Sequence, residues 1–167
     1  MQIRLENPAD VVAIHTINEA AFRTRAEADL VDAIRGQAVP IISLVADDDG
    51  SIAGHILFSP VSLTGHDELK IMGLAPMAVA PAQQRGGIGS ALVREGLAHC
   101  RALGYDAVVV LGHPEFYPRF GFVPASRFGI NSEYDVPDEA FMALELEGSV
   151  LEGKTGTIRY HPAFADC

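Results

Sequence analysis

Backbone N–H groups that converge without side chains in the way make the simplest anion site, and two segments of this 167-residue chain have glycines spaced for it. The first reads Gln83-Gln84-Arg85-Gly86-Gly87-Ile88-Gly89-Ser90. It lies between a strand-like apolar run and a helical pattern. A helix entry there offers four unpaired N–H groups and about half a positive charge. Arg85 adds a cation and Ser90 a hydroxyl. Three glycines in four residues are costly in the first turn of a helix, so a bound phosphate explains them better than an ordinary helix start.

The second segment runs from Gly148 to Gly153-Lys154-Thr155 and fits the pattern G-x-x-x-x-G-K-[ST]. That motif has to open a helix. Here Gly156, Thr157, Ile158 and Tyr160 favour turn and strand, Pro162 follows, and Glu152 would face the phosphates. A solvent-exposed turn is the expectation. No G-x-G-x-x-G fingerprint exists, because position 92 is Leu, and no His/Cys/Asp spacing suits a metal, so none is expected. Cys100 sits in a helical pattern and reads as a small buried hydrophobe; with Cys167 it cannot make a disulfide framework.

The elements that must position the first loop are legible from periodicity. Ile3 and Leu5 alternate as a short strand; Asn7-Pro8 caps a helix that runs to Phe22, and a second helix starts at Thr24, with Glu27 completing a capping box, and stops at Gly36. Strands follow at Ile41 to Ala46, Ile52 to Leu63 and about Leu69 to Val79, joined by turns at Asp47–Gly50 and Gly65–Asp67. Pro81 to Gly89 is a loop, Ile88 to Leu103 a helix ended by Gly104, and Ala107 to Leu111 an unbroken apolar strand buried on both faces. A helical turn at Glu115–Phe120, a strand start at Gly121–Val123, a long loop from Arg127 to Asp138 and a strand from Phe141 to Leu146 complete the reading. The fold class is α+β, in three layers: a mixed, mostly antiparallel sheet with a central β-α-β unit over about Leu69 to Leu111. One domain is expected over 1–167, with its core at about 3–147.

Composition sets the surroundings. Twenty-two acidic against 12 basic residues give a net charge of −10, which disfavours nucleic acid and anionic membranes as partners. No run approaches the ~20 apolar residues of a membrane span, and the start lacks a signal-peptide stretch, so a cytoplasmic protein is expected. Between Gln83 and Arg101 the sign reverses locally, with three arginines against one glutamate, Glu95.

Gln84-Arg85-Gly86-Gly87-Ile88-Gly89 resembles the Q/R-x-x-G-x-G/A signature of the GNAT superfamily of N-acetyltransferases. Leu74-Ala75-Pro76-Met77-Ala78-Val79-Ala80-Pro81 before it resembles that family's fourth strand, and Phe116-Tyr117-Pro118-Arg119-Phe120-Gly121-Phe122 after it resembles the "Y-x-x-x-G-F" segment. Gly112-His113-Pro114 and the acidic C-terminal section look most like the YhbS-like bacterial branch. The resemblance covers about Ile3 to Leu146 and implies acetyl-CoA as acyl donor, laid in a cleft between two splayed parallel strands that end at Val79 and Leu111. It implies that Met77, Ala78 and Val79 pair with the pantetheine. The amides of Arg85, Gly86, Gly87, Ile88, Gly89 and Ser90, beside Gln84, would hold the pyrophosphate.

The same resemblance implies direct attack by a primary amine of a small molecule, a lysine or an N-terminus. Met77 or Ala78 would donate a backbone N–H to the developing oxyanion, and Tyr117 would act as general acid to the CoA thiolate. Of the three aromatic residues Phe116, Tyr117 and Phe120, only Tyr117 has a hydroxyl; the alternative is that it packs as the other two do. The general base stays open among Glu68, His55, His66 and His113. Gly73 stands where the histone-modifying branch has a glutamate, and the family's asparagine upstream of the tyrosine is absent. Those departures leave a second reading, a non-catalytic sensor of CoA or acyl-CoA. The first two helices and the Arg127–Asp138 loop are expected to build the acceptor pocket, where the acidic section would attract a cationic amine; a homodimer is left open.

Overall fold

The computed structural model describes residues 1–166; Cys167 lies outside them. Strand β1 (Gln2–Leu5) leads through a 3-10 turn at Pro8–Asp10, capped by the Asn7 side chain, into α1 (Val11–Phe22) and α2 (Ala26–Gln37). Then come β2 (Ile42–Asp48), β3 (Ser51–Leu63), β4 (Ile71–Val79), α3 (Ile88–Ala102), β5 (Ala107–Leu111), β6 (Val123–Pro124), β7 (Ile130–Ser132), β8 (Phe141–Glu145) and β9 (Gly156–Arg159). The main sheet runs β1-β2-β3-β4-β5-β8-β6, antiparallel except for the β4·β5 pair, as expected for a mixed, mostly antiparallel sheet with one β-α-β unit. A small second ladder joins the far end of β3 to β9 and β9 to β7. Among the described residues no helix is long and apolar enough to cross a membrane.

The two faces of the sheet are covered by different helices, and period-2 alternation decides which residues go where. Leu44, Ile56, Phe58, Met72, Leu74, Val108 and Val110 meet Leu92, Val93 and Leu97 of α3. Val45 and Leu57 turn the other way and meet Ile14, Leu30, Val31 and Ile34 of α1 and α2. Each such fully buried aliphatic side chain contributes about 1.5–3 kcal/mol.

The structure corrects several boundaries. The second helix begins at Ala26, not Thr24: Thr24 Oγ1 donates to Glu27 at 2.9 Å, but Arg23 is left-handed and the chain is still turning. Gly36 does not stop that helix, which continues to Gln37. The expected strand starts at Ile41 and Leu69 move to Ile42 and Ile71. The Arg127–Asp138 segment is more than a loop. It carries β7, whose apolar Ile130 is buried against the second ladder, a signal too short to read from three residues. The core also reaches past 147, since Leu151 and Ile158 are fully buried. Thr155 is followed by β9, so the G-x-x-x-x-G-K-[ST] look-alike opens a strand and not a helix, as its following residues predict.

Candidate active site

Strands β4 and β5 pair in parallel only from Ile71↔Ala107 to Leu74↔Val110. Beyond Leu74 they separate. The reason lies on the other side of β4. The β3·β4 register passes from Phe58↔Leu74 to Ile56↔Met77, so Ala75 and Pro76 together oppose Leu57, a bulge that bends β4 away from β5. Pro76 has no N–H to give to a ladder in any case.

The phase of the ladder then decides which peptide groups are free. Ala80 N–H donates to the Ala53 carbonyl at 2.9 Å. Alternation along the antiparallel pair puts Ala78, opposite His55, in the same phase, facing β3. Met77 and Val79 are out of phase, so their N–H and C=O groups face the opened side. Gln84 Nε2 reaches the exposed Val79 carbonyl at 3.2 Å, which agrees. Of the three residues expected to pair with a pantetheine, the register turns the backbone of two, Met77 and Val79, toward the cleft and that of Ala78 toward β3.

At the end of β4 the chain makes a 3-10 turn at Pro81–Gln83 and enters α3 through Gly87 as N-cap. Arg85 (φ 69°) and Gly87 (φ 89°) are both left-handed, an alternation that turns successive N–H groups to one side. None of the N–H groups from Arg85 to Ser90 has a hydrogen-bond acceptor among the described residues. Arg85, Gly86 and Gly87 are exposed, and a Cβ on Gly87 would meet nothing within 4 Å. The glycine loop is an open cradle of donors at the positive end of a 15-residue helix. Gly89 faces the cleft itself, since its Cβ would lie 3.5 Å from Met77 Cε and 3.7 Å from Phe116 Cζ.

Tyr117 begins the 3-10 turn Tyr117–Phe120 after β5 and is buried in the core cluster that also holds Ile88, Leu92 and Val110. Phe116 and Phe122 meet its ring edge-on, with centroids 5.0 and 5.7 Å away, and a Cβ on Gly112 would overlap the ring. Its hydroxyl has no polar partner among the described residues, and burial pushes its pKa up to about 12, so it stays protonated. Arg119 lies over the Phe116 ring and Arg94 over the Phe120 ring, 4.9 and 5.3 Å from the centroids, which keeps two cations near the loop. Sequence reasoning missed Gly112 and Phe116 as the groups that set the Tyr117 ring. Their role depends on a turn no periodicity encodes.

The candidate bases separate. His66 pairs with Glu68 at 3.5 Å in the β3–β4 turn, at the opposite end of β4 from Met77. His113 is exposed, and its carbonyl accepts the N–H groups of Phe116 and Tyr117. His55 is fully buried in a chain of polar groups. Asn18 Nδ2 donates to the Ile14 carbonyl at 3.0 Å and meets His55 Nδ1 at 3.1 Å; His55 Nε2 meets Ser43 Oγ at 2.9 Å, and Ser43 bonds to Glu6, which pairs with Arg35 at 2.8 Å. The amide donor on Nδ1 assigns the imidazole proton to Nε2. Burial pushes the His55 pKa down to about 4.

The folded protein thus disfavours the charged imidazole, and the stability this reflects is complete above pH 6.5 and lost as pH falls toward 4. We expect unfolding free energy to drop by about 1.4 kcal/mol per pH unit across that window, up to ~3 kcal/mol in all. Urea titrations from pH 7.5 to 4 on the wild type and His55→Gln check it. An equal acid slope in the variant refutes the assignment.

Although no metal spacing is visible in the sequence, the fold brings His15, Asp29 and Asp32 ligand atoms within 4.8 Å of one another. Arg35 already bonds Asp32 at 3.0 Å and Arg25 lies 3.9 Å from Asp29, so these carboxylates are charge-compensated on the surface. Two surface hollows, of about 360 and 420 Å³, lie elsewhere and include none of Met77–Ser90 or Tyr117. The groove beside β4 suits an elongated ligand laid along a strand edge.

Residues 41–124 match the family described as "Acetyltransferase (GNAT) domain". The chain is 38% identical over 165 residues to "Uncharacterized N-acetyltransferase YhbS" of Escherichia coli K12, covering 98% of each protein. Its structure superposes on that of GNAT family N-acetyltransferase YhbS from E. coli in complex with CoA at TM-score 0.92 and 38% identity, over 98% of this chain and 91% of the other. A GNAT family acetyltransferase from Brucella melitensis in complex with acetyl-CoA matches at TM-score 0.81 and 38% identity, over 98% and 97%.

Proposed function

This chain belongs to the GNAT acetyltransferases, and on that premise we propose that it moves an acetyl group from acetyl-CoA to a primary amine by direct attack, with Tyr117 as general acid. One observation carries the reading: peptide groups along the open edge of β4 that have no strand partner lead into an unpaired, left-handed cradle of N–H groups at the start of α3. The edge matches an amide-bearing arm and the cradle a diphosphate. The related E. coli and Brucella proteins hold CoA and acetyl-CoA.

When bound, the donor supplies an acyl thioester. The amine's nitrogen forms the new C–N bond, the C–S bond breaks, and the amine's proton passes to solvent water, which returns a proton to Tyr117 once the phenol has protonated the sulfur. In this reading Met77 N–H, free on the cleft side, donates to the carbonyl oxygen as it gains charge. Val79 holds the arm of the donor. Gln84 steadies the Val79 carbonyl from the loop. The amides from Arg85 to Ser90, with the Arg85 cation, take the diphosphate. Tyr117 gives its proton to the departing sulfur. A phenol held near pKa 12 is fully protonated at neutral pH and can donate to a thiolate, whereas a base role would waste most of its population.

Thiol release from acetyl-CoA, followed with a panel of primary amines, tests this. Turnover that requires an amine and yields the N-acetyl product is expected. Tight CoA binding with no thiol release from any amine would refute catalysis and leave a sensor.

A further inference from the structure

The sheet face opposite α3 carries the chemistry of the acceptor. Met72 and Leu74 turn toward α3, so Gly73 between them turns the other way. A Cβ there would lie 2.9 Å from Val61 Cγ1 and 3.6 Å from Tyr160 Cε1. Val61 takes the space a side chain at 73 would need, and Tyr160, which follows β9 in the chain, lies in ordinary contact distance of it. Ser59 is the register partner of Gly73 and shares its face. The Ser59 hydroxyl is fully buried with no hydrogen-bond partner, one of two such side-chain atoms among the described residues; the other, Asn18 Oδ1, belongs to α1, which covers the same face. A buried polar atom left unpaired destabilises the fold, and a ligand's N–H at that place would offset the cost.

Tyr160 also anchors an aromatic row. Tyr134 stacks on it with centroids 5.5 Å apart and planes 26° apart, and Phe164 packs against it at 5.4 Å. Glu133 Oε2 accepts the Tyr160 backbone N–H at 2.5 Å. The Tyr134 ring is 37% exposed. Glu133 and Asp135 on either side of it are exposed and form no ion pair among the described residues. An accessible aromatic face between uncompensated carboxylates attracts an organic cation.

We propose that Tyr160, Tyr134 and Glu133 form the acceptor subsite, selecting a primary amine that carries a second cationic group and turning its reactive nitrogen toward Ser59. This rests on the acetyl-transfer reading above, so its test reads binding as well as turnover. Calorimetry with 1,5-diaminopentane and n-pentylamine, titrated into protein saturated with CoA, should show at least ~10-fold tighter binding of the diamine, or about 1.4 kcal/mol. Tyr134→Ala and Glu133→Gln should each remove most of that preference, and Tyr134→Phe should keep it, all three with CoA affinity unchanged. Ser59→Ala should raise the KM for the diamine and leave the KM for acetyl-CoA alone. Equal binding of the two amines, or a preference untouched by Tyr134→Ala, overturns the subsite. Failure of CoA to bind would instead strike the donor cleft, and diamine titration into the ligand-free protein still reads the subsite.

Discussion

Replacing Gly87 with valine should weaken CoA binding at least ~100-fold, about 2.7 kcal/mol, while the protein stays folded. Gly87 holds φ at 89°, a region that costs a residue with a Cβ about 1–2 kcal/mol and a β-branched one more. Its Cβ would meet no protein atom within 4 Å, so the substitution projects into open space beside the loop without damaging the core. Strain and crowding act together in the variant. Gly87→Asn separates them, because asparagine tolerates the left-handed region; it should lose less affinity than valine at equal size of obstruction near the backbone. Isothermal titration with CoA and a thermal melt of each variant check the result. Valine binding CoA within threefold of wild type would remove the glycine loop from the donor site.

Tyr117→Phe should lower kcat by ~10²–10³ with CoA affinity within about twofold of wild type, since general acid catalysis is worth that much and the ring's packing survives. The ring is set by Phe116, Phe122 and the bare backbone of Gly112, contacts that the phenylalanine ring keeps. Gly112→Ala therefore gives a second route to the same loss, by displacing the ring with the hydroxyl intact. The pH profile carries the sign. Burial raises the phenol to about 12, so the acid is present throughout neutral pH and no alkaline loss of kcat from Tyr117 occurs at the ordinary tyrosine value of 10. An unchanged kcat in Tyr117→Phe would leave the side chain a packing residue, as Phe116 and Phe120 are.

Much of the proposed donor side was legible in the chain because it depends on local rules. Three glycines beside a helix start report a backbone that must come close to something, whatever the rest of the molecule does. The apolar run Ala107–Leu111 reports burial on both faces, and β5 is indeed covered by neighbours at Ala107–Val110. Turn residues placed the meander. Element ends were less legible, because Thr24 and Gly36 are signals that tertiary packing overrode. His55 could have been singled out as the one polar residue in the apolar stretch Gly54–Phe58. Its partners could not, since Asn18 and Ser43 lie on other elements.

Sequence alone determined the family and the sheet class and marked the glycine loop before α3, because each rests on the order of residues within a few turns of chain. Tertiary structure alone decided which peptide groups of β4 face that cleft: a two-residue bulge set the phase of the ladder, and phase is a property of two strands. It alone brought Tyr160, just past β9, beside Gly73 in β4 and left the buried Ser59 hydroxyl without a partner. Contacts between residues so far apart along the chain depend on loop closure and packing, and no local pattern carries them.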